Sequence, residues 1–332
     1  MIRPFNPRDI LLVRDLQTRS IPLNLERTLL GSRTPLTDAL LGHFSPRPAN
    51  TLTCILKTSP EEGSLIGLAQ VERRQDRLEG NIVCLAPPLK ENEAAPLIWQ
   101  KLLEQLCIGG SEWGILRLFA KLVRDDGQEA EVFQEAGFCI YTQEYIFRLD
   151  HLPSDLPPIH EVPLRSQSVG DAWILQRLYS SVVPRLVQQA EGLAKEDWAP
   201  SHRWLAPRRQ GYILEEGGEV LGCIRFTLGH KCHWLRMLLD HGARERAEEL
   251  LKWGLTLLSA HSPAPVYCSI RVYEEDLRTP LERNGFQYQT AQYLLVKHLA
   301  IAVRERRLKL VPNLEKRPEV VTTISRAKGG FE

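Results

Sequence analysis

The stretch His230-Lys231-Cys232-His233-Trp234 gathers two imidazoles and a thiol, the groups that ligate transition metals. On a strand, His230 and Cys232 share one face and His233 points to the other. No fourth ligand accompanies them, so no metal is expected. Two further charged stretches are Lys90-Glu91-Asn92-Glu93-Ala94-Ala95 and Gly242-Ala243-Arg244-Glu245-Arg246-Ala247. Each opens a strongly periodic apolar run. Carboxylates in a first helical turn face the positive end of the helix dipole, so both stretches read as helix starts.

The elements that carry these groups are written twice. Arg3, Asp9, Leu12, Val13 and Leu16 recur at an offset of 162 as Arg165, Asp171, Ile174, Leu175 and Leu178. Each Asp stands where a helix N-cap is expected. "LIGLAQVERR" and "VLGCIRFTL" are matched strands, with Gly67 against Gly222, and a hairpin leads each into "IVCLAP" or "CHWLRMLLD". Ala95, Ile98, Trp99, Leu102, Leu103 and Leu106 form one apolar helical stripe; Ala247, Leu250, Leu251, Gly254, Leu255 and Leu258 form its copy. Strands "GILRLFAKL" and "PVYCSIRVY" follow. Then come "FQEAGF" and "LERNGF", each ahead of a final strand, with their glycines and the tyrosines Tyr145 and Tyr293 all at an offset of 148. The Pro-rich segment 151–163 reads as a linker, 1–150 and 164–300 as two domains, and the polar stretch 301–332 as a mobile tail.

Strand, helix, antiparallel strands, long helix, strand, short helix, "GF", strand: in that order each half resembles the GNAT (N-acetyltransferase) superfamily, so the chain resembles a tandem GNAT protein. The resemblance implies an α/β fold with a mixed sheet. It also implies acetyl-CoA as co-substrate, held between two splayed central strands, and acetyl transfer to a small-molecule or peptide amine. Carried over residue by residue, the family's strand-end and pyrophosphate motifs fall on Val83, Leu85, Pro87, Lys90 and Ala95 in the first half. In the second half they fall on Met237, Leu239, Gly242, Ala243, Arg244, Arg246 and Ala247. The central loop glycine is replaced by Glu93 and Glu245, carboxylates expected to obstruct and repel a pyrophosphate. Arg244 and Arg246 can offset Glu245, which makes the second half the expected acyl-CoA site.

The family's proton-donating tyrosine is replaced by Phe133 and Leu281, and an asparagine by Asp126 and Glu274. Glu72, His230 and His233 are the general-base candidates, each also readable as a surface or hairpin residue. Tyr145 and Tyr293 fit either an acceptor pocket or strand packing. The opposing reading is a catalytically inactive tandem protein that keeps the fold as a binding or scaffolding module.

The 332 residues suit about two domains, and a net charge of +1 gives no electrostatic footprint for nucleic acid or an anionic membrane. No apolar run is long enough to span a bilayer and the opening "MIRPFNPRDI" lacks a leader-type apolar stretch, so a cytoplasmic protein is expected. Seven singly spaced cysteines fit reduced thiols. Oligomeric state is left open by the sequence.

Overall fold

The structure, a computed structural model, describes residues 2–299 except 32, 45–49, 59–64, 75–76, 126 and 200–207. The tail expected over 301–332 and Asp126 lie outside the described residues. In the first half the strands are β1 (Ile2–Pro4), β2 (Ile21–Pro22), β3 (Thr51–Lys57), β4 (Ile66–Arg74), β5 (Glu79–Ala86), β6 (Arg117–Val123) and β7 (Cys139–Leu149). Its helices are α1 (Ile10–Thr18), α2 (Leu25–Leu29), α3 (Pro35–Phe44), α4 (Ala95–Glu112) and α5 (Gln128–Glu135). The second half carries β8 (Arg165–Ser166), β9 (Arg208–Glu216), β10 (Glu219–Leu228), β11 (His233–Leu239), β12 (Val266–Arg271) and β13 (Gln287–His298). Between them run α6 (Ala172–Val182), α7 (Arg185–Glu191), α8 (Ala247–Ser259) and α9 (Arg278–Arg283).

One mixed sheet holds all these strands, in the order β1-β3-β4-β5-β6-β13-β7-β12-β11-β10-β9-β8, with β2 beside β5. Read from either edge, equivalent strands come in the same order. At the centre they are exchanged: β13 pairs with β6 of the first half, and β7 pairs with β12 of the second. β7 and β13 then pair antiparallel with Glu144 opposite Gln292, Tyr145 opposite Ala291 and Gln143 opposite Tyr293. A pseudo-two-fold axis therefore passes between Glu144 and Gln292, which are repeat equivalents.

Alternation along the strands builds the layers. In β4, Leu68 faces α1 and α3, whereas Ala69 faces the α4 side. In β10, Cys223 faces α6 and α7, and Ile224 faces α8. Every residue of the two expected helical stripes is buried. Gly254 allows α8 to lie against β10, since a Cβ there would stand 2.1 Å from Ile224 Cδ1.

The repeated "GF" has the expected cause. Gly137 and Gly285 adopt φ of 83° and 87°, a left-handed conformation that ends α5 and α9. Phe138 and Phe286, each 2% exposed, then enter the core as β7 and β13 begin.

Asp9 and Asp171 do stand at the N-cap positions of α1 and α6, but their side chains bond elsewhere. The caps of the preceding 3-10 turns are Asn6 and Ser168, and Asp9 and Asp171 reach back to accept their backbone N–H groups. Neither Asp side chain caps the helix that follows. Each is instead gripped by two guanidinium bonds, Arg3 to Asp9 at 2.6 and 2.6 Å and Arg165 to Asp171 at 2.9 and 2.8 Å. The paired Arg and Asp of the repeat are thus one device that staples β1 to α1 and β8 to α6. Among the described residues no helix is long and apolar enough to cross a membrane.

Candidate acyl-CoA clefts and a polar seam

In each half two parallel central strands pair briefly and then part. β5 and β6 are joined only from Glu79/Arg117 to Asn81/Phe119, and β11 and β12 only from His233/Val266 to Leu235/Cys268. Each pair leaves a wedge open towards the start of its long helix.

The first wedge is filled by the chain itself. Ile21 and Pro22 pair with Leu85 and Cys84 of β5. Leu23 N–H donates to the Val83 carbonyl (2.9 Å), and Lys121 N–H of β6 donates to the Leu23 carbonyl (3.1 Å). Residues 21–23 therefore take the backbone groups with which an inserted ligand would bond. A mouth of about 240 Å³ remains, with Ile21, Leu23, Pro88, Lys90 and Val123 among its lining. This plug was not read from the sequence; its signal is the Ile-Pro pair that interrupts α1 and α2.

In the second half the residues at the same offset of 162 are Val183, Pro184 and Arg185. Val183 N–H caps α6 by donating to the Tyr179 carbonyl (3.0 Å), and Pro184 leads into α7. Beyond Leu235, β11 has no partner strand on its β12 side among the described residues. Met237 and Leu239 turn their side chains into the core under α8. The loop that follows is a 3-10 turn, His241–Arg246, in which Gly242 N–H donates to the Asp240 carboxylate (2.9 Å) and Ala243 is buried. Arg244 is bound to Asp276 (2.7 Å), and Arg246 bridges Glu216 and Glu249 (2.5 Å each). Ala247 is buried at the start of α8. Glu93 and Glu245 are both exposed, pointing away from the packed helix starts rather than into them. Asp240, which the sequence reading passed over, is the carboxylate that takes a loop N–H.

The base candidates are scattered. Glu72 accepts from Arg27 Nε (3.0 Å), a guanidinium that also holds Asp38. His230 is exposed in the β10–β11 turn. His233 is 3% exposed, and its Nε2 meets the Ser262 carbonyl at 2.9 Å. It stands at the far end of β11 from the loop, six residue steps or roughly 20 Å away. Tyr145 packs near Tyr288, and Tyr293 lies under Arg124. Phe133 and Leu281 are core residues at 0% exposure, with no proton to give. Glu274 accepts the Arg271 N–H at 2.9 Å, closing the turn after β12. No group of three or more His, Cys, Asp or Glu positioned for a metal occurs among the described residues.

What the structure does bring together lies at the exchanged strands, on the α1/α6 side of the sheet. Glu144, fully buried, accepts from Lys121 Nζ at 2.8 Å, with Arg271 Nε 3.7 Å away. Arg271 Nη2 donates to Glu191 (3.0 Å), as do the hydroxyls of Tyr179 (2.8 Å) and Tyr141 (3.4 Å). Arg236 donates to Glu26 (3.0 Å), which stands 4.0 Å from Lys121. Three anions and three cations, drawn from both halves, form one seam.

Burial alone would raise the Glu144 carboxyl, but Lys121, Arg271 and Arg236 outweigh it and hold it at about 2. Burial pushes the Lys121 ammonium down, against the pull of Glu144. Asp171 is also held at about 2, chiefly by its bonds to Arg165. Both carboxyls are depressed on folding, so the stability they contribute is present above the unfolded pKa and lost as pH falls through about 2. The urea midpoint should therefore fall steadily from about pH 4.5 downwards, and a midpoint level to about pH 3 would contradict the pairing.

Solved structures similar to this one include GCN5-related N-acetyltransferases. One from Sphaerobacter thermophilus is 12% identical, with a TM-score of 0.50 over 90% of this chain and 95% of that one. A tandem GNAT protein from the clavulanic acid biosynthesis pathway, solved without AcCoA, is 13% identical, with a TM-score of 0.50 over 90% and 98%. A Drosophila protein is 15% identical, with a TM-score of 0.52 over 91% and 99%. No family model and no curated protein matches the sequence. The likeness establishes the fold: the chain is folded as a tandem GNAT protein, both halves included.

Proposed function

We propose that this chain, with residues 1–150 and 164–300 as its two units, is a cytoplasmic N-acetyltransferase in which only the second half takes acetyl-CoA. The observation that carries the reading is the plug: Ile21–Leu23 bonds across the first wedge, and its second-half counterpart does not. The co-substrate would supply an acetyl thioester; the protein's part is to place it and to place a small-molecule or peptide amine. Met237 to Ala247 would hold it, with unpaired backbone of β11 past Leu235 along the wedge. With Phe133 and Leu281 at the acid positions, rate acceleration would rest on positioning and on backbone N–H groups aimed at the thioester carbonyl.

Fit to a pyrophosphate is mixed. Asp240 places a carboxylate on the loop N–H groups, and both arginines must exchange a carboxylate for phosphate. Neutralising both, as Arg244→Gln with Arg246→Gln, should weaken acetyl-CoA binding by about tenfold or more, and Lys90→Gln should leave it unchanged. An effect of Lys90→Gln alone would move the site to the first half.

The same loop favours a second reading, a protein with no acyl-CoA site that serves as a binding module. Absence of acetyl-CoA binding, with Asp240→Asn restoring it, would establish that reading.

A further inference from the structure

The repeat that writes the fold twice breaks at one corner. In the first half Lys297, near the end of β13, donates to the Ala136 carbonyl (2.5 Å) and lies over the Phe138 ring, filling the space beside Gly137. At the offset of 148 its counterpart is Leu149, which ends β7 and packs into the second core. A leucine has no donor to offer the matching corner at Gly285. There a cavity of about 540 Å³ lies between the end of β7, the linker that follows it, α8 and the α9–β13 turn. We infer that this cavity is a binding site for a phosphorylated sugar.

Three cations reach it from three elements: Arg148 from β7, Lys252 from α8 and Arg283 from the end of α9. Arg148 is paired with Asp150 (2.5 Å). The other two are held loosely. Lys252 stands 3.5 Å from Glu248 and 4.0 Å from Asp155, and Arg283 stands 3.4 Å from the same Glu248. By contrast, the arginines of the loop before α8 meet their carboxylates at 2.5–2.7 Å. The two carboxylates of the lining, Asp150 and Asp155, are 53% and 73% exposed, against 36% for Arg148 and 33% for Lys252. Water screens the outer groups more than the inner ones, so the cavity presents a positive wall behind an acidic rim.

That arrangement selects the ligand. Donors converging from three elements match the three terminal oxygens of a phosphate monoester better than the two coplanar oxygens of a carboxylate. Asp150, Asp155 and the Ser154 hydroxyl can accept hydrogen bonds from the hydroxyl groups of a sugar. No aromatic side chain lines the cavity among the described residues, so a nucleobase has no platform to stack on. The volume lies within the range of about 300–1,000 Å³ of small-molecule sites.

The cavity is separate from the proposed acyl-CoA cleft. Arg148 pairs with Tyr267 near the start of β12, whereas the second wedge opens towards Arg271 at its other end, four residue steps or roughly 13 Å away. A ligand can therefore fill the cavity whether or not the cleft takes acetyl-CoA.

The test is calorimetric titration of the full chain, without acetyl-CoA, with hexose, pentose and triose monophosphates. Inorganic phosphate, the unphosphorylated sugars and AMP are run beside them. At least one sugar phosphate should bind about tenfold or more tightly than inorganic phosphate, and the free sugars should not bind. Lys252→Gln with Arg283→Gln should weaken that binding by more than about tenfold at an unchanged melting temperature, because both side chains lie at the surface. Asp150→Asn with Asp155→Asn should narrow the gap between the sugar phosphate and inorganic phosphate. Acetyl-CoA titrations of both variants should match that of the unaltered chain.

No binding by any sugar phosphate, binding no tighter than that of inorganic phosphate, or full affinity in the Lys252 and Arg283 variant would overturn the site. AMP binding more tightly than every sugar phosphate would also overturn it, since that requires a base contact the lining does not provide.

Discussion

A chain ending at Phe286 is expected to lose the fold of both halves, although the one strand removed, β13, belongs to the second. β13 is the strand between β6 and β7. Without it the first half loses the neighbour of β6, and its own last strand is left attached only to β12. Ala291, Leu294, Leu295 and Val296 of β13 are all buried. At roughly 1.5–3 kcal/mol for each large aliphatic side chain, their loss approaches the whole stability of an ordinary domain. A chain ending at Leu299 is the control, because it keeps β13 and should unfold cooperatively. Urea unfolding followed by tryptophan fluorescence separates the two. A cooperative first-half transition surviving in the shorter chain would contradict the strand exchange.

Replacing Glu144 by alanine should cost about 3–5 kcal/mol, the usual effect of stripping one partner from a buried ion pair. Lys121 would lose its 2.8 Å acceptor, and Arg271 would keep only Glu191 (3.0 Å) of its two carboxylates, losing Glu144 at 3.7 Å. Among the described residues the other carboxylate beside Lys121 is Glu26, at 4.0 Å and already held by Arg236. The paired change Glu144→Leu with Lys121→Met should cost far less than Glu144→Ala, because both charges leave together. Urea midpoints measure each variant. A loss below about 1 kcal/mol for Glu144→Ala would place that carboxylate in contact with water and not in a dry seam.

Much of the fold was legible because burial in this chain obeys simple periods. The stripes from Ala95 and from Ala247 became α4 and α8, and Gly137 and Gly285 took the left-handed conformation that "GF" implied. The exchange of β7 and β13 was not legible, since pairing between repeats follows the same alternation as pairing within one. The first-half plug was hidden for a related reason. Ile-Pro-Leu bonds through its backbone, and backbone bonding leaves little mark on residue type.

The sequence did hold a sign of the seam. Glu144 and Gln292 share the offset of 148 with Tyr145 and Tyr293, one polar residue before each tyrosine on a strand otherwise packed on both faces. The polar residue before each tyrosine occupies the pseudo-axis. Conversely, Glu93 and Glu245 stood out by type and turned out to be exposed. A carboxylate at a helix start has an easier partner in solvent and the dipole than in the wedge.

If only the second of the two like folds takes acetyl-CoA, calorimetric titration of the full chain with acetyl-CoA, and with CoA alongside, should give one site per chain, weakened when Arg244 and Arg246 are neutralised. Two sites per chain would show that Ile21–Leu23 is displaced from β5 by ligand and would rule that proposal out.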